Sequence, residues 1–478
     1  MFTTAPLFGR FHSPLKKHAG SLRRQPLHHL QNVCDGRFDR SLLDPNEKGA
    51  NRRSSIFTPK LSFFGFLDQT LNPGTSCRRA AHQIRASHQS LPDCPPIDSD
   101  NSAFCQARAR WTLEELLAIR RDIADHIHFS ASSLAGVLTL TTQRLKVVAG
   151  SSINAPDTAE NRAQYPQSEQ QNPQCGFPLI NLVGIFCLRT GALLERAYGP
   201  LHTSENALFH QLWPSLEPGD ILLGDRLFGS YCDTFGLKDQ GVDSLWRQNA
   251  SRNVDFRQGV RLGRWDRLIT WSRPRSKPKT ITQELWDKMP PTLTLRLVRF
   301  RIATKNGRSK KISLLTTLTD PGLWPLEVLA ALYARRWKIE LFWDDIKTTL
   351  QMDLLSCKSP DMIHKEMEMH FIAYNLIRSV MAEAAQVCHV PLDRMSFKGT
   401  MDAVQIYSPM MDQIPASHRQ RRRALYAEML AAIAKDQVPE RPGRREPRCQ
   451  KRRPKAYPFM TKPRHQMKDR PKTGYRKQ

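Results

Sequence analysis

The sequence predicts an α/β protein: a mixed-sheet core interrupted by a β-rich insertion, with a helical N-terminal domain before it and a basic tail after it. Three observations carry this. Between residues 144 and 247, strand-like apolar runs are first joined by tight turns and then alternate with helical stretches, which suggests a mixed sheet. From about 250 to 318 the periodicity changes to two. Helical periods resume at Pro325 and again at Asp361.

Taken in order, residues 1–54 are rich in Pro, Arg and His without periodicity and read as a disordered leader. The first 34 residues hold five Lys or Arg and no acid. A transit peptide shares that pattern, but an unstructured leader or an over-long start is the simpler reading. Helices are expected over Ile56–Gln69, Cys77–Ala86 and Trp111–Ile127, together a helical domain of about 55–140 suited to binding DNA. Strands are expected over Arg144–Ile153, Leu179–Leu188, Ala192–Gly199, Asp220–Asp225 and Val242–Arg247, with a helix over Glu205–Trp213. These form the first part of the core, 141–249. The runs VRLGRWDRLITWSR, TLTLRLVRFRI and KISLLTTL make the insertion, 250–318. The second part of the core is 319–400, and 401–478 is the basic C-terminal region.

The chain has 478 residues and a net charge of +27, and 40 % of its residues are apolar. A wholly disordered or collagen-like chain is excluded. The thirteen-residue uncharged stretch Gly176–Leu188 is too short for a membrane span, which needs about twenty residues. A polyanion is the partner such charge favours, nucleic acid first. Residues 441–478 hold fifteen basic and two acidic residues, about half of the net charge. Within this tail Tyr457 and Phe459 read as base-stacking groups or as anchors onto the core. The ten cysteines have no Cys-x-x-Cys spacing and no His pair at zinc spacing, so reduced thiols of an intracellular protein are expected.

Two local patterns point to chemistry. In ALYARRWKIELFWDDIKTTL, Tyr333, Arg336, Glu340 and Lys347 fall within about 60° of one another on a continuous helix, along roughly 21 Å of its axis. One acid flanked by cations suits a carboxylate that holds a metal while its neighbours hold phosphates. A solvated face with ordinary charge pairs is the alternative. In GDRLFGSY, Asp225 follows an apolar strand, and open α/β sheets place ligands at such carboxyl ends. A helix-capping Asp is the alternative. Arg226 beside it could pair with the carboxylate or reach a phosphate.

These segments together resemble the transposases of bacterial insertion sequences, in the insertion-sequence-four family marked by a Tyr-Arg-Glu-Lys signature. The resemblance spans about Ile56–Arg464. It rests on FTPKLSFFGFLDQ, SCRRA, CQARAR, PDTAEN, CGFP, GDRLFGSY, the Tyr-Arg-Glu-Lys stripe, AYNLIR and SFKGT. It implies an RNase H-like core, an Asp-Asp-Glu triad holding two Mg²⁺ ions, and DNA cleavage followed by strand transfer. It also implies double-stranded transposon-end and target DNA as partners, a homodimer that brings two ends together, and a nucleoid-associated protein of the cytoplasm with no membrane. Asp225 matches the second Asp and Glu340 the Glu, both as metal ligands. Tyr333, Arg336 and Lys347 match the residues that hold terminal DNA phosphates.

The first Asp is missing. The chain reads Val147-Val148-Ala149-Gly150-Ser151, with Ala149 at the catalytic position. A methyl group ligates no ion, so this copy is expected to cut DNA poorly. Asp157, eight residues on, is a candidate substitute. The competing function is a non-enzymatic protein that occupies transposon ends. A basic structural or ribosome-associated protein is a third reading, and it predicts no preference for end sequences. Arg78, Arg79, Arg85, Arg108 and Arg110 are candidate DNA contacts of the helical domain. Trp265 and Trp271, six apart, are expected on one face of a strand, packed in the sheet.

Overall fold

The computed structural model describes residues 27–43, 56–89, 100–130, 144–249, 255–303, 309–415, 417–439 and 459–467. The described residues begin with α1 (His28–Cys34), followed by a 3₁₀ turn at Arg40–Leu43. Leu27, Leu30, Val33, Phe38 and Leu43 are all buried. The expectation of a disordered 1–54 therefore fails over 27–43. These residues have no long amphipathic period because only a few apolar contacts tie them down. Residues 1–26 and 44–55 lie outside the described residues.

Helix α2 (Pro59–Leu71) starts with Pro at N1 and the Thr58 hydroxyl accepting from the Leu61 amide, a standard cap. It is buried along most of its length and packs with α3 (Cys77–Gln89) and α4 (Ser102–Ala109), whereas α5 (Leu113–Ser130) packs chiefly on the long helix Pro360–Val387. Helix α4 went unread in the sequence because eight residues give too few turns to establish a period.

The core begins with β1 (Arg144–Asn154), then α6 (Ala159–Gln164), β2 (Leu179–Cys187), β3 (Leu193–Pro200), α7 (Glu205–Leu212), β4 (Asp220–Gly224), α8 (Tyr231–Asp239) and β5 (Asp243–Arg247). The insertion adds β6 (Val260–Gly263), β7 (Asp266–Ser272), α9 (Gln283–Lys288), β8 (Thr292–Ala303) and β9 (Ser309–Thr316). All nine strands form one mixed sheet in the order β3-β2-β1-β4-β5-β9-β8-β7-β6. Strands β1 to β3 pair antiparallel, while β4 and β5 run parallel to β1. This is the RNase H-like mixed sheet that the resemblance implies. The insertion continues it through the antiparallel β5–β9 ladder.

Side-chain alternation splits the sheet between two cores. Leu145, Val147, Ile221, Leu223 and Leu245 face the larger one, with the N-terminal helices and the C-terminal half of the chain. Val148, Leu222 and Trp246 face the other, with Leu208 and Phe209 of α7 and Leu237 of α8. A third, small cluster joins Tyr231 and Cys232 to Ile281, Met289 and Leu293 of the insertion.

After the sheet come α10 (Leu326–Arg335), α11 (Lys338–Asp344), α12 (Pro360–Val387), α13 (Phe397–Gln413) and α14 (Arg419–Lys435). Helix α12 is 28 residues long, and nearly every side chain from Ile363 to Ala385 is buried. Its polar residues are paired accordingly. The Arg120 side chain, fully buried on α5, meets Glu368 at 2.5 Å and Glu195 of β3 at 2.7 Å. Arg196 reaches Glu368 as well, at 3.0 Å. The basic C-terminal region thus opens with α13 and α14, which basic composition alone did not reveal. Tyr457 lies outside the described residues, as does most of the tail, while Phe459 is exposed.

Candidate functional site

The parallel β1–β4 ladder sets Val147 opposite Leu223. Two residues further on, the same register brings Ala149, midway along β1, level with Asp225, just past the carboxyl end of β4, on strands about 4.8 Å apart. Both positions fall on the face of the larger core. Asp225 is half-buried, and its Oδ1 accepts from the Leu227 amide at 2.7 Å. The turn thus fixes the carboxylate at the strand end. Arg226 is exposed.

Tyr333, on α10, is buried over this edge, with the Arg336 guanidinium beside its hydroxyl. Burial pushes its phenol pKa up. Arg336 and Arg247 pull it back, and the Asp225 charge adds to the rise. Tyr333, Arg336, Arg247 and Asp225 are therefore neighbours. The Arg336 guanidinium lies 5.5 Å from the Tyr333 ring centre and 5.6 Å from that of Trp337.

The expected continuous helix is broken twice. At Arg336–Trp337 the ladder tightens: the Arg336 amide donates to Tyr333 O, and the Ile339 amide donates to Arg336 O. At Asp345–Thr349 it slackens into a π turn, with the Leu350 amide donating to Asp345 O. The uniform 100° step fails at both places, so the 60° arc does not describe this face. Glu340 is exposed on α11, whose Ile339, Phe342 and Trp343 pack on the same core as Ala149. Trp343 also packs against Gly184, the ladder partner of Ala149. Lys347 lies in the π turn, with Asp353 3.7 Å away.

A carboxylate that the sequence did not single out approaches from the opposite face. A Cβ built at Gly150 would collide with the Glu205 carboxyl, so glycine there leaves room for that group. Glu205 is half-buried, and burial together with the Asp225 charge raises its pKa. Its sequence signal was only an acid in the first turn of α7, the usual place for a helix-stabilising charge. Arg247 was also missed. It ends a short strand as Asp225 ends another, and that parallel was the available signal.

Two divalent ions need several convergent oxygen ligands. Among the described residues no three His, Cys, Asp or Glu side chains gather closely enough to hold an ion. Glu340 does not complete such a group with Asp225 and Glu205, and Ala149 offers no oxygen. The residues present do not fit a two-ion site. Asp157 does not repair it: its carboxylate pairs with Arg162 at 2.7 Å, next to the Thr158 cap of α6.

Several expected DNA contacts have other uses. Arg108 is buried 4.4 Å from the Phe66 ring centre and donates to Gln69, and Arg85 is buried near Phe57. Arg78, Arg79 and Arg110 are exposed. Trp265 and Trp271 do not share a strand face. Trp265 occupies the β6–β7 turn, 37 % exposed, edge-on to Phe256, whereas Trp271 packs edge-on against Tyr231. The eight cysteines among the described residues are free thiols. Among the described residues no helix is long and apolar enough to cross a membrane.

The Transposase DDE domain family matches residues 142–376, from the start of β1 into α12. The chain is similar to Transposase InsG for insertion sequence element IS4 of Escherichia coli (strain K12), 26 % identical over 312 residues. That match spans 64 % of this chain and 67 % of the relative. It is also similar to the Putative transposase InsZ of the same organism, 25 % identical over 171 residues, 36 % of this chain and 53 % of that one. Among solved structures, a piggyBac transposase synaptic complex with hairpin DNA aligns over 88 % of this chain and 86 % of its own, at 10 % identity and a TM-score of 0.40.

Proposed function

We propose that this chain is a DDE transposase of the insertion-sequence IS4 family, whose enzymes cleave DNA and transfer strands, and that this copy binds the ends of its element but cuts them poorly. One observation carries the reading: a methyl group, Ala149, stands level with Asp225 at the carboxyl edge.

Enzymes of this family generally use a divalent metal, which activates the attacking oxygen and neutralises the leaving one. Asp225, held by its turn, and Glu340 are the acids left at the positions where the resemblance expects metal ligands, and together with Glu205 they do not make up a two-ion site. The missing oxygen at 149 removes several kcal/mol of charge stabilisation, and a few kcal/mol is about a thousandfold in rate. Binding is carried by other groups. Tyr333, Arg336 and Lys347 hold phosphates near the edge, Arg226 lies beside them, and the +27 net charge supplies long-range attraction.

The partners in this reading are double-stranded transposon ends and target DNA. Two copies would bring two ends together as a homodimer, associated with the nucleoid. A chain that occupies ends without cutting would also inhibit active copies by joining their dimers. Restoring Ala149→Asp tests the central point. With Mg²⁺ or Mn²⁺ and end-containing DNA, the restored chain is expected to cut at least about a hundredfold faster than the original. Equal rates would overturn the reading of position 149.

A further inference from the structure

Three cysteines that the carboxyl edge does not use gather where the N-terminal helices meet the rest of the chain. Cys77 opens α3, Cys105 lies on α4, and Cys357 comes shortly before α12. Arg108, three residues beyond Cys105 on the same helix face, stands among them. Its guanidinium donates to Cys357 Sγ at 3.4 Å and to Gln69 Oε1 at 3.1 Å. The Gln69 amide donates in turn to Cys77 Sγ at 3.6 Å and to the Thr75 carbonyl at 3.3 Å, which ties α2 to the start of α3. Asn101 Nδ2 lies 4.0 Å from Cys105 Sγ. The Cys105 and Cys77 thiols are hydrogen-bonded to each other.

The three sulfurs are not equivalent. Cys357 is buried, its Sγ is occupied by Arg108, and its amide donates to Glu366 at 2.8 Å. Cys77 and Cys105 are half-buried, so small solutes reach them. Burial and the adjoining Cys77 raise the Cys105 thiol pKa, so Cys105 keeps its proton and donates it, leaving Cys77 as the accepting sulfur. A cation beside a thiol favours the anionic sulfur that reacts with oxidants. Arg108 is that cation here, and its Nε, on a residue only 7 % exposed, has no hydrogen-bond partner among the described residues. The cluster is not an ion site, since among the described residues no three His, Cys, Asp or Glu side chains could hold one. Two sulfurs already in hydrogen-bond contact need only side-chain movement to reach bonding distance.

We propose that Cys77 and Cys105 are a modification site, a thiol pair that a peroxide oxidises reversibly to a disulfide fastening α3 to α4. Cys77 sulfur attacks one peroxide oxygen, the O–O bond breaks, and a sulfenic acid and one water form. Cys105 sulfur then displaces the hydroxyl from Cys77, and its proton leaves in a second water. Two electrons pass from the two sulfurs to the peroxide. The inference goes beyond the end-binding reading and does not depend on it.

The test uses the full chain, reduced, freed of reductant and treated with hydrogen peroxide at about one equivalent. Free thiols are counted with Ellman's reagent after denaturation, and disulfide-linked peptides are identified by mass spectrometry. The count is expected to fall from ten to eight, with a single Cys77–Cys105 linked peptide, and to return to ten with dithiothreitol. Cys77→Ser and Cys105→Ser should each abolish that peptide. In Cys105→Ser, dimedone should label Cys77 as the stranded sulfenic acid. Cys357→Ser should leave the linkage unchanged.

An unchanged thiol count overturns the proposal, as does a linked peptide that joins Cys77 to Cys357 or to Cys94 instead. Dimedone on Cys105 in the Cys77→Ser variant, with none on Cys77 in the Cys105→Ser variant, overturns the order of attack. If a serine variant fails to fold by circular dichroism, phenylarsine oxide on the reduced original chain decides the matter. It bridges two adjacent thiols with loss of one water, so it should protect Cys77 and Cys105 together from alkylation. Alkylation of both at their original rates would overturn the pairing.

Discussion

Ala149 and Asp225 occupy equivalent places on neighbouring strands, yet one carries a methyl group and the other an anchored carboxylate. Both drew notice in the sequence because each follows an apolar strand run within a short motif. Glu205 and Arg247 were not, because what matters about them is the partner they face, and those partners come from other strands. Asp345 shows how burial acts on one carboxyl. Desolvation raises its pKa to about 7, with Arg378 pulling it down and Asp344 pushing it up. A folded-state value above the ordinary 3.8 means that ionisation opposes folding. The penalty is absent below about pH 4 and is complete above pH 7. Asp345→Asn is therefore expected to raise the unfolding temperature at pH 8 and to leave it unchanged near pH 4, which thermal unfolding at the two pH values would measure.

Among the elements, the strands were the most legible, since period-two runs bounded by turns have few other readings. Helix α12 was visible from its length, but not its centrality, because buried Glu368, Lys365 and Arg378 read as surface residues until their partners are known. Glu368 joins α12 to α5 and β3 through Arg120 and Arg196. Glu368→Ala would strand the fully buried Arg120 with one carboxylate in place of two. It is expected to cost about 3–5 kcal/mol, read as a lower urea midpoint, because a buried charge loses its partner. The α10–α11 segment shows the opposite limit. The charge spacing singled out the segment but not its shape, since a tightened turn and a π turn leave no mark in that spacing.

Across the whole molecule, the N-terminal residues close a circuit that composition concealed. Arg37 donates to Ser379 and to Glu383 of α12, both at 2.5 Å, and Tyr426 of α14 donates to the same Glu383 at 2.6 Å. Residues 27–43 thus fasten the chain's beginning to its last helices. Deleting residues 1–43 is expected to lower the unfolding temperature by at least about 5 °C, because five buried apolar side chains and this network are lost together. Calorimetry of the shortened chain would check it, and an unchanged melting temperature would count against the packing described.

The two ends of the central strands are fastened very differently. At the amino ends of β1 and β4, Asp220 pairs with Arg144 at 2.9 Å and Lys146 at 2.7 Å. At the same end Tyr374, Asn375 and Arg378 of α12 bond to the carbonyls of Gly191, Leu193 and Thr190 in the β2–β3 turn. The carboxyl ends carry the half-buried Glu205 and Arg247 and the buried Tyr333, and among the described residues no comparable set of ion pairs holds them. Local opening free energy should then fall along each strand toward the carboxyl rim, so that amide exchange begins there. The rim is left free to rearrange around a ligand while the opposite end keeps the strands in register.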